Sequence, residues 1–379
     1  MSTRKAEVSG NNSGPSPKAM AQLKNLRSQI DKLDLQVLKL INDRAGLAAE
    51  IGKLKKELGG EIFSPSREEE VFDNVINASK GPLSPVTIRA VFREIMSGSR
   101  ALEKVIKVAY LGPEFSFSHV AGVERFGNSA EFMPVGSITA VFEMVNRSQS
   151  EFGVVPLENS TDGRVADTLE MFIRLPQVKI CSEIRLRIHH NLLANCEQHE
   201  IRRVYSKPQA LSQCRHWLAK NVPHAAVHEV ASTSIAAKLA QGEHGMAAIA
   251  SRQAAVAYGL KILFPDIEDS PYNETLFAII GTQEAGKTGN DKTSVMFKPP
   301  HSHQSGALAD TLNLFKQAKI SLSWIESFPA PGPKQEYLFF VDFEGHAEEP
   351  KVKRLLTALQ DHCSQVSVLG SYPVAKLLD

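Results

Sequence analysis

From Met20 to Leu58 apolar residues recur at steps of three and four: Leu23, Leu26, Ile30, Leu33, Val37, Leu40, Ile41, Leu47, Ile51, Leu54 and Leu58. No proline interrupts the run, and Gly59-Gly60 follows it. The pattern predicts one helix of roughly forty residues, ~58 Å long at 1.5 Å per residue. A helix of that length with one apolar stripe needs partner helices to cover it. Two shorter helices are predicted behind it, Ser66 to Ala78 and Ser84 to Glu103, separated by Gly81-Pro82. One overlong helix among three implies an entwined dimer. Residues 1–19 are mostly Ser, Asn, Gly, Pro and Lys with little to bury, and are expected to form a disordered tail.

At Val105 the period changes. Ile106 to Leu111 reads as a strand, and Ser116 to His119 opens a helix after the Gly112-Pro113 turn. Strands and helices then alternate: Phe132 to Val135, Ile138 to Arg147, Phe152 to Val155, Val165 to Leu175, Ile188 to Ala194, Val204 to Ser206, Gln209 to Ala219, Ala225 to Val230, Ser234 to Gln241 and Met246 to Ala250. This is α/β order. The apolar run Phe152 to Val155 stops at Pro156, and a polar stretch from Glu158 to Asp162 feeds the next helix. Such loops at strand ends are where open α/β sheets build ligand sites. Many helix starts carry Ser or Thr, including Ser116, Ser137, Ser160, Ser206 and Ser232 to Ser234. Each is by itself a cap; gathered around a cleft, they would bind carboxylates. The last segment reads strand (Thr293 to Lys298), helix (Gly306 to Lys319), strands (Ser321 to Phe328, Gln335 to Glu344), helix (Lys351 to Cys363) and strand (Gln365 to Tyr372), a ferredoxin-like order.

The chain has 379 residues, 42% of them hydrophobic and 22% charged, with a net charge of +1. That suits two or three domains and gives no basic or acidic signal for nucleic acid or a membrane surface. Cys181, Cys196, Cys214 and Cys363 show no CxxC spacing and read as free thiols of a cytoplasmic protein. No metal-ligand motif or cofactor fingerprint stands out. Gly281 to Thr288 satisfies G-x-x-x-x-G-K-[ST], but a phosphate loop must open a helix, and Thr293 to Phe297 reads as a strand. An interdomain linker is the expectation there, with a nucleotide-dependent protein as the rival.

The basic residues of the long helix pose a geometric question. Arg44 and Lys55 lie eleven residues apart and share a face. Arg27 lies seventeen residues before Arg44, roughly 25 Å along the axis and rotated by about 100°. It cannot join the same small site within one chain, but an antiparallel second chain could bring it there.

Leu26 to Asp34, Asn42-Asp43-Arg44, Gly52 to Lys55 and Arg67-Glu68 resemble the all-helical chorismate mutases over residues 20–104. The resemblance implies a site that borrows one arginine from the partner chain. Arg27 and Arg44 would hold the two carboxylates of chorismate, Lys55 the ether oxygen and Glu68 the ring hydroxyl. Arg67 would support the site, and Ser99 and Glu103, four apart on the third helix, would complete it. Some members have Gln where Glu103 stands, so Glu103 would have to be protonated to donate. Ser64 stands where some have Asp.

Residues 105–284 resemble the prephenate dehydratases through Tyr110 to Pro113 with Ser116 to His119, Val155 to Ser160, Tyr205 to Gln209, Ser232 to Ser234 and Asn273 to Phe277. The resemblance implies two α/β lobes, like a periplasmic binding protein, with Thr275 as the acid for the departing hydroxyl. Glu158, Asn159, Ser160, Ser206, Gln209, Ser232, Thr233, Ser234 and Phe277 would bind substrate. The motif Thr-Arg-Phe reads Thr275-Leu276-Phe277 here, and Lys207 replaces a usual His. Residues 290–379 resemble an ACT regulatory domain, an α+β amino-acid sensor. Gly306, Ala307, Leu308, Glu326 and Ser327 would bind phenylalanine, with Phe328 in place of a motif Arg. Together these imply a multidomain enzyme that takes chorismate to prephenate and on to phenylpyruvate under phenylalanine control. It would act without a cofactor, as a homodimer or larger homo-oligomer. An arogenate dehydratase and a non-catalytic sensor are the rivals.

Overall fold

The computed structural model describes residues 17–58, 63–161, 163–300, 304–330 and 336–378. The chain divides into two units, Met1–Gly60 and Glu61–Asp379. The first holds one helix, α1 (Pro17–Leu58). It starts within the span expected to be a tail, because proline suits the first helical position, where no N–H is needed. The rest of that tail and Gly59-Gly60 lie outside the described residues. Leu26, Ile30, Leu33, Val37, Leu40 and Leu47 are each half or more exposed. A lone helix has nothing of its own to cover such a stripe.

The second unit opens with α2 (Pro65–Ala78) and α3 (Pro85–Ala101). Ser64 and Ser84 cap them, each ahead of a proline at the first helical position. The third helix stops short of Glu103. The backbone N–H groups of Glu103 and Lys104 both bond to Arg100 O, at 2.8 and 3.0 Å, and this tight turn puts Glu103 past the helix end. Phe63, just before α2, is buried between Phe126 and Phe152, with ring centroids 5.0 and 5.1 Å away. Such pairs add about 0.5–1.5 kcal/mol each beyond the area they bury.

The next elements form two lobes. The first contains β1 (Lys107–Leu111), α4 (Phe117–Phe126), β2 (Glu131–Val135), α5 (Ile138–Asn146), β3 (Phe152–Asn159), β4 (Gly163–Arg164), α6 (Ala166–Arg174) and β5 (Lys179–Arg187). The second contains β6 (Asn191–Ala194), β7 (Arg203–Ser206), α7 (Pro208–Gln213), α8 (Arg215–Asn221), β8 (Ala226–Glu229), α9 (Thr233–Gly242), β9 (Met246–Ala250), α10 (Arg252–Tyr258) and β10 (Lys261–Phe264). The chain then returns to the first lobe as β11 (Glu274–Gly281). The lobes have separate mixed sheets, with β5-β11-β3-β1-β2 in one and β10-β6-β9-β7-β8 in the other.

Three expectations change here. The strand expected to stop at Pro156 continues to Asn159. β1 pairs only with Phe152 to Val154, so proline's missing N–H costs no ladder bond on that side. The strand β5 escapes the periodicity because it buries Ser182 and Glu183 alongside its apolar residues. The helix expected over Gln209 to Ala219 breaks at Cys214, whose φ of −113° and ψ of 13° are not helical.

The C-terminal segment contains β12 (Asp291–Lys298), α11 (Ala307–Ala318), β13 (Leu322–Pro329), β14 (Tyr337–Glu344), α12 (Pro350–His362) and β15 (Gln365–Pro373). Its antiparallel sheet has the order β13-β14-β12-β15, the ferredoxin-like arrangement. Afterwards β16 (Leu377–Leu378) pairs with β5 in the first lobe. Gly281 to Thr288 opens no helix: the N–H groups of Thr288 and Gly289 bond to the Asp291 carboxylate at 2.8 and 2.9 Å, and β12 follows. The phosphate-loop geometry is therefore missing from this segment.

The four-stranded sheet shares a core with the first lobe, where Met296, Phe340, Leu369 and Tyr372 pack with Leu157, Phe172, Ile180 and Ala278. At the crossing of β15 over β5, a Cβ on Gly370 would stand 2.1 Å from Ile180 O. Only glycine allows that approach. Gly370→Ala should lower stability by about 1–3 kcal/mol, the range for overpacking. Urea unfolding measures it, and an unchanged midpoint would mean the strands do not lie this close.

Candidate functional site

A cleft of about 820 Å³ lies between the two lobes. Thr275 and Phe277 on β11 and Asn159 and Pro156 on β3 form part of its wall. Thr275 stands directly across from Asn159. Asn159 Nδ2 donates to Thr275 Oγ1 at 2.8 Å, which leaves the hydroxyl hydrogen to be donated elsewhere. Among the described residues, three serine-capped helices begin at the cleft. Ser116 caps α4 and lines it; Ser232 caps α9 and lines it with Thr233; Gly136 and Ile138 line it on either side of Ser137, the cap of α5. Their free N–H groups and dipoles favour anions.

The second lobe contributes Lys207, Gln209 and Gln213, and the connection between lobes contributes His190. His190 Nε2 lies 2.8 Å from Gln213 Oε1, which also accepts from Asn273 Nδ2 at 3.0 Å. Gln213 Nε2 in turn donates to Asn273 Oδ1 at 3.3 Å and to Thr161 Oγ1 at 3.1 Å. This network reaches both lobes. Among the described residues no carboxylate lines the cleft, whereas Lys207 and Arg164 do.

The expected substrate-binding residues divide into two groups. Asn159, Gln209, Ser232, Thr233, Thr275 and Phe277 come together in the cleft. Glu158, Ser160, Ser206 and Ser234 are absent from its lining. Strand alternation turns Glu158 to the face opposite Asn159. Ser160 Oγ donates to Tyr272 O at 3.0 Å and accepts from Glu274 N at 3.0 Å. Ser206 is fully buried and donates to Ile249 O at 2.7 Å; Ser234 is fully buried and donates to Glu114 O at 2.6 Å. These hydroxyls hold the scaffold. Leu276 is 5% exposed in the core, whereas Lys207 is on the exposed cleft side.

Gln213 and His190 escaped the motif reading. Gln213 had a signal, because it lies four residues after Gln209 on one helical turn. His190 had none, since its role depends on where the chain crosses between lobes.

The other expected residues are spread along the chain. Arg27, Arg44 and Lys55 lie on α1, in the first unit. In the second unit, Arg67 is exposed and pairs with Glu70 at 2.6 Å. Glu68 is buried and held by Arg100, with Arg125 3.9 Å away. Ser99 Oγ donates to Ile95 O at 2.7 Å. Glu103 has a buried oxygen, Oε2, with no hydrogen-bond partner. Gly306 caps α11 at a φ of 92°, with Ala307 and Leu308 in its first turn. Glu326 and Ser327 are exposed on the edge strand β13, and Phe328 packs against Phe340.

Residues 26–104 match the family model of chorismate mutase type II, and residues 108–285 match that of prephenate dehydratase. A bifunctional chorismate mutase/prephenate dehydratase of Aquifex aeolicus is 41% identical over 363 residues, covering 94% of this chain and 99% of that protein. The chain belongs to the bifunctional chorismate mutase/prephenate dehydratase family. A member from Pseudomonas aeruginosa is 42% identical with the same coverage. Among solved structures, a prephenate dehydratase from Arthrobacter aurescens in complex with L-Phe is similar at a TM-score of 0.66 and 30% identity. The match covers 71% of this chain and 90% of that one.

Burial pushes the His190 pKa below its usual 6.5, outweighing the bond to Gln213 and the charge of Glu268. The unfolded chain therefore takes up this proton before the folded one does. The stability involved is present above pH 6.5 and is lost as pH falls through the lower folded value. The denaturant midpoint should fall between pH 7.5 and 5.5, and fall less in His190→Gln. Some loss should remain, because burial lowers His119 too. Equal losses in variant and parent would show that His190 is not held neutral.

Proposed function

We propose that this chain carries out two consecutive reactions, rearranging chorismate to prephenate and then converting prephenate to phenylpyruvate, with phenylalanine as a feedback effector. The observation that carries the dehydratase reading is the cleft. It combines the exposed Lys207 and helix N-termini with no lining carboxylate among the described residues, and a hydroxyl whose oxygen already accepts a bond. Prephenate is a dianion and suits it.

In the reaction the bond from the ring to its carboxylate breaks, and its electron pair aromatises the ring as the C–O bond to the hydroxyl breaks. The products are phenylpyruvate, carbon dioxide and water, with one proton taken up from solvent. Thr275 is the group that hydrogen-bonds and protonates the departing hydroxyl, and Asn159 orients it by donating to its oxygen. Gln209, Gln213, Ser232, Thr233 and Lys207 position the substrate.

The mutase reaction is pericyclic and needs only a charged pocket that holds the substrate compact. We assign it to residues 20–104, with Arg27, Arg44, Lys55, Arg67, Glu68, Ser99 and Glu103 as its groups and a second copy covering the exposed stripe of α1. Dehydration belongs to residues 105–284. Residues 290–379 are the phenylalanine sensor, with Gly306 to Leu308 and Glu326-Ser327 as contacts. The phenylalanine-bound relative supports that last assignment.

The direct test follows prephenate and phenylpyruvate from chorismate, with and without phenylalanine, with arogenate as a competing substrate. Thr275→Ala should lower phenylpyruvate formation ~100-fold or more while prephenate still accumulates, and Thr275→Ser should keep part of the rate. Equal rates in the alanine variant and the parent would remove Thr275 from the mechanism.

The mutase assignment makes a second prediction. Arg27→Ala and Arg44→Ala should each abolish chorismate turnover, and refolding the two together should restore part of it. The ~25 Å between them along α1 requires two chains to complete one site. No recovery in verified heterodimers would overturn that arrangement.

A further inference from the structure

Arg164 stands at the border of the cleft, yet its side chain is only 7% exposed. Its Nε lies 2.9 Å from Glu158 Oε2 on β3, an ion pair whose angle makes no hydrogen bond. Its opposite end, Nη2, donates to Asp342 Oδ2 on β14 at 3.0 Å. The guanidinium stacks on the Trp324 ring of β13 at 3.6 Å. Trp324 and Asp342 are cross-strand neighbours in the C-terminal sheet. One planar cation therefore touches a strand of the cleft wall and two strands of another domain.

Glu158 is flanked by Leu276 on β11 and by Arg164 on β4. Leu276 offers it no charge, so Arg164 is the basic residue within ion-pair distance of its carboxylate among the described residues. Glu158 precedes Asn159, the residue that orients Thr275. On the far side, Trp324 shares a strand face with Glu326 two residues on.

We propose that Arg164 is a positioning residue for the dehydratase cleft: it holds Glu158, and takes its own place from Asp342 and Trp324, so that the C-terminal sheet acts on the cleft through this guanidinium. The proposal rests on the dehydratase reading above. Arginine suits the role because its fork meets two carboxylates at once while its face stacks on an indole; lysine offers one point charge.

Glu158 and Asp342 each contact Arg164, so a double-mutant cycle separates transmission from simple packing. Glu158→Gln and Asp342→Asn are combined in the full-length chain, and kcat/KM for prephenate is measured at all four corners. The effects should depart from additivity by about three-fold or more with Arg164 present. They should become additive in Arg164→Lys. A purely structural pair would instead lower thermal stability and chorismate turnover together. Additivity in the parent, or the same non-additivity in Arg164→Lys, overturns the proposal.

A second measurement needs no activity. Trp217 and Trp324 are the two tryptophans of the chain. In a Trp217→Phe background, emission reports Trp324 alone. Glu158→Gln should shift that emission, and Arg164→Lys should abolish the difference. No shift overturns the proposal. A parent that consumes no prephenate refutes the dehydratase reading instead, while the emission measurement still decides whether Arg164 links the two domains.

Discussion

The chemistry of the cleft depends on the register between β3 and β11. Thr275 lies opposite Asn159 and Leu276 opposite Glu158, but Phe277 lies opposite Pro156. Leu157 is the extra residue, and the slip lets Asn159 and Pro156 face the cleft although they are three apart. Without that bulge, strand alternation would aim Leu157 at the cleft alongside Asn159. Instead Leu157 is 2% exposed in the core. The proline that looked like the end of the strand sits at the irregularity that shapes the site.

The same alternation sends charge to the other face, where it must be neutralised out of water. Arg164, Lys292, Glu183 and Asp342 have side chains between 1% and 11% exposed. Lys292 lies 2.6 Å from Glu183 and 3.5 Å from Asp342, and Ser294 Oγ donates to the other oxygen of Asp342 at 2.5 Å. Burial alone would lower the Lys292 pKa, but Tyr372, Glu183 and Asp342 outweigh it and hold the ammonium above its usual range. Taking such ions from water costs several kcal/mol each, so the cluster is weak evidence for stability. It does make the fit between sheets specific, since a displaced strand would leave a buried charge without its partner.

The order of elements was legible because it rests on local signals. The step pattern of α1, the two shorter helices that follow it, and the β-α-β-β-α-β order of the last segment all survive in the structure. What the pattern could not reveal depends on long-range pairing. Glu158 and Asn159 are adjacent and equally polar, and only the partner strand decides which one meets the cleft. Ser206, Ser232 and Ser234 look alike at helix starts, yet Ser232 lines the cleft while the other two bond to distant carbonyls. Gly370 gave no warning, because its role arises from a strand nearly two hundred positions away.

The departures from family motifs follow one physical logic. Leu276 and Phe328 stand where the resemblance leads one to expect arginine, and both take part in the apolar core shared by the first lobe and the C-terminal sheet. An arginine at either place would bring a charge that must find a partner out of water. At Leu276 the carboxylate across the strand pair is Glu158, and that carboxylate already has a cation, Arg164, on its other flank. A second guanidinium there would compete with Arg164 for the same oxygens. The apolar residue at 276 and the arginine at 164 are thus two halves of one arrangement. It keeps one cation beside Glu158, on β4, where the same side chain also reaches Asp342.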